Sequence, residues 1–440
     1  MAAAWECLEL PWREPWQVAW ALAGHWGEQG LVWLDGQGSG PGRLGVAPRE
    51  QRVCRGLPGD HGARDPFAVL EAMAAGGGHW MGWLAYEAGA WVEPAAHWRR
   101  PALATLWAAR HDPVLTWDPG NRRLQLEGSE SEAMAAIAAQ IHALPEEPLE
   151  DHSTPEAAGL PLEGWRLHTS PEAFAAQVAQ IRAWIGAGDL FQANLTACWE
   201  QTLPADPPLL ALYGRLRRSC PAPFAGLAIA GAEAAGEAVL SASPERFLQL
   251  DPEGWVETRP IKGTRPRHRE PEADAAAAAE LVSSPKDRAE NVMIVDLLRN
   301  DLGRVCQTGS IWVPQLVGLE SYAQVHHLTS VVRGQLRPGL GLSDLLRACW
   351  PGGSITGAPK IRACQRLAEL EPVPRGPYCG SLFRLAPDGS FDSSILIRSA
   401  FVHHRTIRVQ AGCGIVTDSE PEAEAAELGW KLQPLLEALA

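Results

Sequence analysis

Lysine is nearly absent from this chain. The 38 Lys and Arg among 440 residues include only four lysines, Lys262, Lys286, Lys360 and Lys431, all within the last 179 positions. Random scatter would put all four there with a chance of about 0.03. Arginine covers ordinary surface charge. A retained lysine marks either a site that needs a compact amine able to lose its proton, or merely what codon bias has left. Other absences exclude whole classes. No run of about 18 apolar residues suggests a membrane span, and the N-terminus MAAAWECLEL lacks the basic and apolar regions of a signal peptide. A net charge of −14 without a basic cluster argues against general nucleic-acid binding. The nine cysteines form no CxxC pair and fit neither a zinc nor a disulfide framework, so a reducing cytoplasm is expected.

What is present suits a globular fold: 46% of residues are hydrophobic and 20% charged, enough for an ample core. The clearest break in composition is Leu144–Pro161, rich in Pro and Glu without apolar periodicity. It divides the chain into residues 1–143, a linker or surface loop over 144–161, and residues 162–440. Twelve of the 19 Trp lie in the first 117 residues among short apolar runs, which suggests a Trp-packed, β-containing subdomain. Beyond the break, Ser170–Pro171 reads as an N-cap followed by Pro, with Phe174, Val178, Ile181 and Ile185 on one helical face. Strands are expected at Leu190–Thr196, Ala238–Ala242, Phe247–Leu250, Trp255–Arg259, Ser394–Val402 and Thr406–Ala411. Helices are expected at Pro285–Leu302, Ser343–Cys349, Pro359–Leu370 and Pro421–Leu439, the last bent at Pro434. Hairpin-spaced strands interrupted by helices point to an α+β fold.

Several segments carry candidate chemistry. Lys262 sits between Pro260–Ile261 and Gly263–Thr264 at a strand end. It is either an ordinary surface lysine or a desolvated amine, in which case a lowered pKa makes it a nucleophile. A hairpin would bring Glu245 towards it as a proton donor; otherwise Glu245 pairs with Arg246. Asp287 and Glu290 share one helical face, as do Glu424, Glu427 and Lys431. Dipole complementation and a Glu427–Lys431 pair explain each helix alone. If the faces meet, four carboxylates need a cation, and oxygen donors of this kind suit Mg²⁺. The turn Pro351–Lys360 feeds a helix N-terminus suited to anions, but Ala358 stands where a Walker loop needs Lys. Gly412 and Gly414, following a strand, offer bare N–H groups, and Arg398, late in a strand, offers bidentate carboxylate binding. The pairs His326–His327 and His403–His404 lack a second ligand set for zinc.

In this order, from about Pro171 to the C-terminus, the segments resemble the chorismate-utilising enzymes. The motifs are GDLFQANLT (188–196), SPERF (243–247), RPIKGTRPR (259–267), SPKDRAENVMIVDLLRND (284–301), VHHLTS (325–330), PGGSITGAPK (351–360), YCGSLF (378–383), DSSILIRSA (392–400) and AGCGIVTDSEPEAEAAE (411–427). Anthranilate synthases have alanine in the middle of PIxGT. The lysine here, with AEN rather than AEH at Ala289–Asn291, is similar to the large subunits that form aminodeoxychorismate. Isochorismate and salicylate synthases place a water-activating lysine where this chain has Gln192, so addition of water is disfavoured.

The resemblance implies antiparallel sheets packed face to face with helices outside, the active site between them, and residues 162–440 as the chorismate-binding catalytic domain. It implies a Mg²⁺ ion held by Glu290 and Glu427, with Asp287 and Glu424 beside them. Arg398, Tyr378, Lys431, Gly412 and Gly414 would grip the pyruvyl carboxylate and ether, Gly263 and Thr264 the ring side, and His327 and Ser354 the ring substituents. Lys262 would attack C2 with Glu245 as general acid, and ammonia would then displace it at C4. A separate glutamine amidotransferase chain would supply the ammonia. The LLES-type tryptophan-binding element of anthranilate synthases is not evident in the N-terminal third. The alternatives are anthranilate synthase activity and a silent chorismate-binding subunit.

Overall fold

The computed structural model describes residues 5–36, 40–146, 159–322 and 325–440. Most of the expected linker, residues 147–158, lies outside them. Two large sheets organise the chain, and every strand pairing among the described residues is antiparallel. The first sheet runs from Glu6–Leu10 at one edge, through Val32–Leu34, Phe224–Ile229, Glu237–Ser243 and Ser399–His403, to Thr406–Ile415 and Gln192–Thr202. The second runs from Ile261–Pro266 through Val325–Gln335, Trp255–Thr258, Arg246–Leu250, Phe391–Ile395 and Ser381–Leu385 to His79–Leu84, Leu106–His111 and Glu50–Cys54. Both sheets therefore draw strands from either side of the 144–161 stretch.

Side-chain alternation explains why the sheets stack. In Glu237–Ser243, Ala238, Leu240 and Ala242 enter one core, built with helices Pro171–Gly186, Leu209–Ser219 and Pro421–Leu439. Val239, between them, enters a second core shared with Phe247, Leu382 and Phe383 of the other sheet. Gly226 of the first sheet leaves so little room that a Cβ there would lie 2.6 Å from Leu382 Cδ2 of the second. The sheets thus pack face to face with helices outside, as expected.

Several helices begin where the sequence says they should. Ser170 Oγ accepts from Ala173 N at 3.2 Å and Ser284 Oγ from Asp287 N at 3.3 Å, each followed by Pro in the first turn. The first 143 residues, expected to be β-containing, also hold helices Pro15–Trp26, Pro66–Gly76 and Ser131–His142. Short apolar faces such as Phe67, Leu70 and Met73 build them, and their Ala-rich surroundings blur the helical period. Helices Leu209–Ser219 and Pro271–Ser283 were likewise not legible. No described helix is long and apolar enough to cross a membrane.

Two strands differ from expectation in ways that matter for the site. Ser394–Val402 is not one strand: Phe391–Ile395 belongs to the second sheet and Ser399–His403 to the first. The chain crosses between sheets at 396–398, where Arg398 takes a left-handed φ of 51°. An uninterrupted apolar pattern hides such a crossing, because both halves are buried. Thr406–Ala411 continues to Ile415, so Gly412 and Gly414 lie inside a strand, opposite Thr196 and Asn194 of Gln192–Thr202.

Trp33, Trp83, Trp107 and Trp117 are fully buried, in line with a Trp-packed N-terminal part. Trp107 stacks on Trp83 with centroids 4.9 Å apart and donates to Gln51 Oε1 at 3.1 Å. Trp107→Ala should cost about 3–5 kcal/mol of stability, read as a lower urea midpoint at unchanged slope. A loss below about 1 kcal/mol would show that this core relaxes around the cavity.

Candidate active site between the sheets

Strand Trp255–Thr258 leads through Arg259–Pro260 into Ile261–Pro266, whose pairing with Val325–Gln335 shifts register between Ile261 and Thr264. That irregularity re-aims Lys262, and Gly263 at φ 84° makes the turn possible: a Cβ there would meet the Asp287 side chain at 3.0 Å. Lys262 Nζ reaches the Ser354 carbonyl at 3.5 Å. Burial depresses its ammonium below the ordinary lysine value, Glu290 and Glu245 pull it up, and Lys431 pushes it further down. Glu245 is buried beside it, and desolvation pushes its carboxyl up to about 7, against hydrogen bonds from Ser354 and Ile261 and the Lys262 charge. Of the two fates the sequence left open, the structure brings Glu245 to Lys262. Arg246 turns instead to Asp392 at 3.1 Å and Glu257 at 3.2 Å.

The two acidic helix faces do meet. Lys286 of Pro285–Gly303 reaches Glu424 of Pro421–Leu439 at 3.9 Å. Glu290 has no ion pair or hydrogen bond within contact distance among the described residues; burial raises its carboxyl, against the pull of Lys262 and Lys286 and with smaller pushes from Asp287 and Glu424. Its neighbours are partnered: Asp287 lies 3.3 Å from Arg265, and Glu424 accepts from Ser419 Oγ at 2.7 Å. Burial works against ionised Glu427, yet Lys431 at 2.7 Å holds its carboxyl below the usual range. One thiol, unremarked in the sequence, joins this group. Cys413 Sγ and carboxylate oxygens of Glu424 and Glu427 all lie within 4.8 Å of one another; Glu290 and Asp287 stand outside that cluster.

Opposite these acids lie the cations and bare backbone. Lys431 also donates to the Gly412 carbonyl at 3.1 Å. Arg398 is exposed and has no carboxylate partner among the described residues. Surrounding protein still pushes its guanidinium below the ordinary value. His327 Nδ1 pairs with Thr264 Oγ1 at 2.8 Å, while its Nε2 is buried without a partner. Burial and then Arg398 hold the imidazole neutral, down to about 4. Tyr378 is buried near Phe401, with ring centroids 6.4 Å apart, and Ser354 sits on a tight turn over Gly353–Ile355. These contacts link Lys262, Glu245, Ser354, Glu290, Glu427 and Lys431 with one another, and Thr264 and Arg398 with His327.

Gln192 belongs with them. Both polar atoms of its fully buried amide lack partners. A Cβ on Gly414 would lie 3.0 Å from Gln192 Nε2 and 3.5 Å from Lys262 Nζ, so glycine, amide and amine converge. Buried polar groups left unpaired are costly, and both atoms of this amide are unpaired beside Lys262. In the sequence, Gln192 is marked by its place in GDLFQANLT, where related synthases carry a lysine.

The raised carboxyl of Glu245 has a consequence for stability. The unfolded carboxyl titrates at 4.5 and the folded one at about 7. Between these values the folded chain holds a proton that the unfolded chain has released, so stability falls as pH rises through the window. Glu245→Gln removes that slope. Its stability relative to the unsubstituted chain should therefore improve from roughly pH 5 to pH 8, by up to about 3 kcal/mol. Urea unfolding at both pH values checks this, and an equal gap at both would contradict it.

The family model for chorismate binding enzymes matches residues 48–437. Aminodeoxychorismate synthase component 1 of Klebsiella aerogenes is 45% identical over 292 residues, 66% of this chain and 63% of that protein. Its Escherichia coli K12 counterpart is 43% identical over 275 residues, 62% and 59% of the two. The chain thus spans somewhat under two thirds of the length of these relatives. Anthranilate synthase component 1 of Streptomyces coelicolor is 38% identical over 375 residues, 82% of this chain and 72% of that one. Among solved structures, anthranilate synthase component I of Streptococcus pneumoniae TIGR4 superposes with a TM-score of 0.76 at 27% identity, over 92% of this chain and 93% of its own. The menaquinone-specific isochorismate synthase MenF of Escherichia coli shares the fold, with a TM-score of 0.72 at 17% identity over 100% and 95% of the two chains. With its motifs, its paired sheets and these relatives in agreement, the chain belongs to the chorismate binding enzyme family.

Proposed function

We propose that this chain is the chorismate-aminating component of an aminodeoxychorismate synthase, forming 4-amino-4-deoxychorismate from chorismate and ammonia for p-aminobenzoate and folate synthesis in the cytoplasm. The observation that carries the reading is Lys262, an amine depressed by burial beside a glutamic acid raised to about 7. Such a pair can present a neutral nucleophile and a protonated acid at the same pH. Lys262 Nζ forms a bond to ring C2, both ring double bonds shift by one position, and the C4–oxygen bond breaks. Glu245 gives its proton to the departing hydroxyl, which leaves as water. Ammonia then bonds to C4, both double bonds return, and Lys262 departs with its electron pair. One hard displacement is split into two easier ones.

The rest of the cleft serves binding. Arg398, free of any carboxylate partner among the described residues, would form a bidentate pair with the pyruvyl carboxylate, with Tyr378, Lys431, Gly412 and Gly414 around the ether. Gly263, Thr264, His327 and Ser354 would face the ring. Glu290 fits a hard cation, because its carboxyl is buried near Asp287 and Glu424 and accepts no hydrogen bond among the described residues, although Lys262 and Lys286 attract it from a distance. Glu290 and Glu427 would hold Mg²⁺, with Asp287 and Glu424 behind them, and the ion when bound would neutralise the ring carboxylate of the substrate. Relatives named component 1 imply a second component, and a glutamine amidotransferase chain is the partner this reading requires.

Anthranilate synthase is the second reading, favoured by the wider coverage of the Streptomyces coelicolor relative. Purified chain with chorismate, Mg²⁺ and ammonium salt separates the readings by product mass. We expect 4-amino-4-deoxychorismate; anthranilate with pyruvate would overturn the proposal, and recovered chorismate would indicate a silent subunit. Lys262→Ala should abolish the covalent chorismate adduct seen by intact mass and lower kcat by about 10²-fold or more. An adduct persisting in that variant would remove Lys262 from the nucleophile's role.

A further inference from the structure

Behind the cleft lies a buried ion pair that no step above uses. Arg375 and Glu371 are 2% and 7% exposed. Glu371 closes helix Lys360–Leu370, and its carboxylate takes Arg375 Nε at 2.9 Å and Nη2 at 2.6 Å. The pair leaves the fork's other N–H groups aimed outward. Nη1 donates to the Ile355 carbonyl at 2.8 Å and Nη2 to the Asn194 carbonyl at 2.7 Å. Glu371 Oε1 also accepts from Thr196 N at 3.1 Å, and Gln410 Nε2 donates to the Arg375 carbonyl at 2.9 Å.

Each segment gripped this way carries part of the site. Ile355 follows Ser354, whose carbonyl receives Lys262 Nζ and whose side chain bonds Glu245. Asn194 and Thr196 lie in the strand of Gln192, opposite Gly414 and Gly412. Arg375 also reaches back to the start of the chain. Its guanidinium lies 4.6 Å from the Tyr86 ring centroid, and the next residue, Gly376, accepts from Tyr86 N at 2.8 Å and donates to Glu87 Oε1 at 3.2 Å.

Net stability is a poor reason for keeping such a pair, since apolar replacements of buried ion pairs are often neutral or stabilising. What only a planar fork supplies is fixed direction to several acceptors at once. We propose that Arg375, oriented by Glu371, is a positioning residue: it holds Ser354 and strand Gln192–Thr202 at the separation that Lys262 and Glu245 need, and ties residues 1–143 to that setting. The kinetic part of this inference rests on the function proposed above.

The test uses Arg375→Lys and Glu371→Gln in the full chain, with folding followed by near-UV circular dichroism and thermal midpoint. Expected in a folded variant is a kcat about 10²-fold lower, since misplacement of about 1 Å costs that much. KM for chorismate should stay within about threefold, because Arg398 and Lys431 are untouched. Amide hydrogen exchange over 353–358 should speed up by about tenfold or more. A folded variant with unchanged kcat and unchanged exchange would overturn the proposal. So would collapse of both variants, because the pair would then serve the fold alone. If the unsubstituted chain fails to consume chorismate, the functional reading falls, and amide exchange decides the positioning inference by itself.

Discussion

Burying an amine and a carboxyl together, each pushed towards its neutral form, is the constraint that the remaining architecture answers. A charged lysine alone in a low-dielectric site is driven to lose its proton, and a buried glutamate to keep one. Lys262 and Glu245 sit where both pressures act, Lys262 on strand Ile261–Pro266 of the second sheet and Glu245 just before strand Arg246–Leu250 of the same sheet. The cleft must then contain enough charge of both signs that neither group is driven fully into its ionised form. Glu290 and Glu427 support the ammonium state of Lys262, while Lys431 opposes it. The amine therefore feels burial and Lys431 against the pull of three carboxylates.

The same economy of partners shapes the walls of the cleft. Among the candidate site residues, the buried Gln192 amide and His327 Nε2 lack partners, and the exposed Arg398 has no carboxylate partner among the described residues. They belong to different elements: a strand of the first sheet, a strand of the second, and the crossing between them. Holding open polar groups on rigid elements avoids reorganisation when a substrate supplies the missing partners. The left-handed backbone at Arg398 is the local strain that this arrangement tolerates.

How much of this could be read beforehand follows from the range of the signal. Helix caps at Ser170 and Ser284 are local chemistry, legible in two or three residues. Motif order carried the candidate site residues, because sequence neighbours such as Lys262 and Gly263 fall within one motif. Long-range relations carried no such signal. Ser394–Val402 reads as one apolar strand because each half is buried in a different sheet. The partnerless amide of Gln192, the thiol of Cys413 against Glu424 and Glu427, and the fork of Arg375 exist only once distant strands meet.

The scarcity of lysine acquires a physical sense from these positions. Lys262 and Lys431 face the cleft, and the other two hold its frame. Lys360 reaches Asp301 at 2.6 Å and the Cys349 carbonyl at 2.9 Å, tying the glycine-rich turn to the helix that carries Glu290. Lys286 bridges from the start of that helix to Glu424 on the last helix. A helix anchored at both ends by ammonium groups keeps its acidic face directed at the cleft. A compact ammonium suits the space between Asp301 and a main-chain carbonyl, where a planar guanidinium has three more donors to satisfy than that pocket of acceptors supplies. Codon bias can thin lysine across a chain, but it does not gather the four that remain around one cleft.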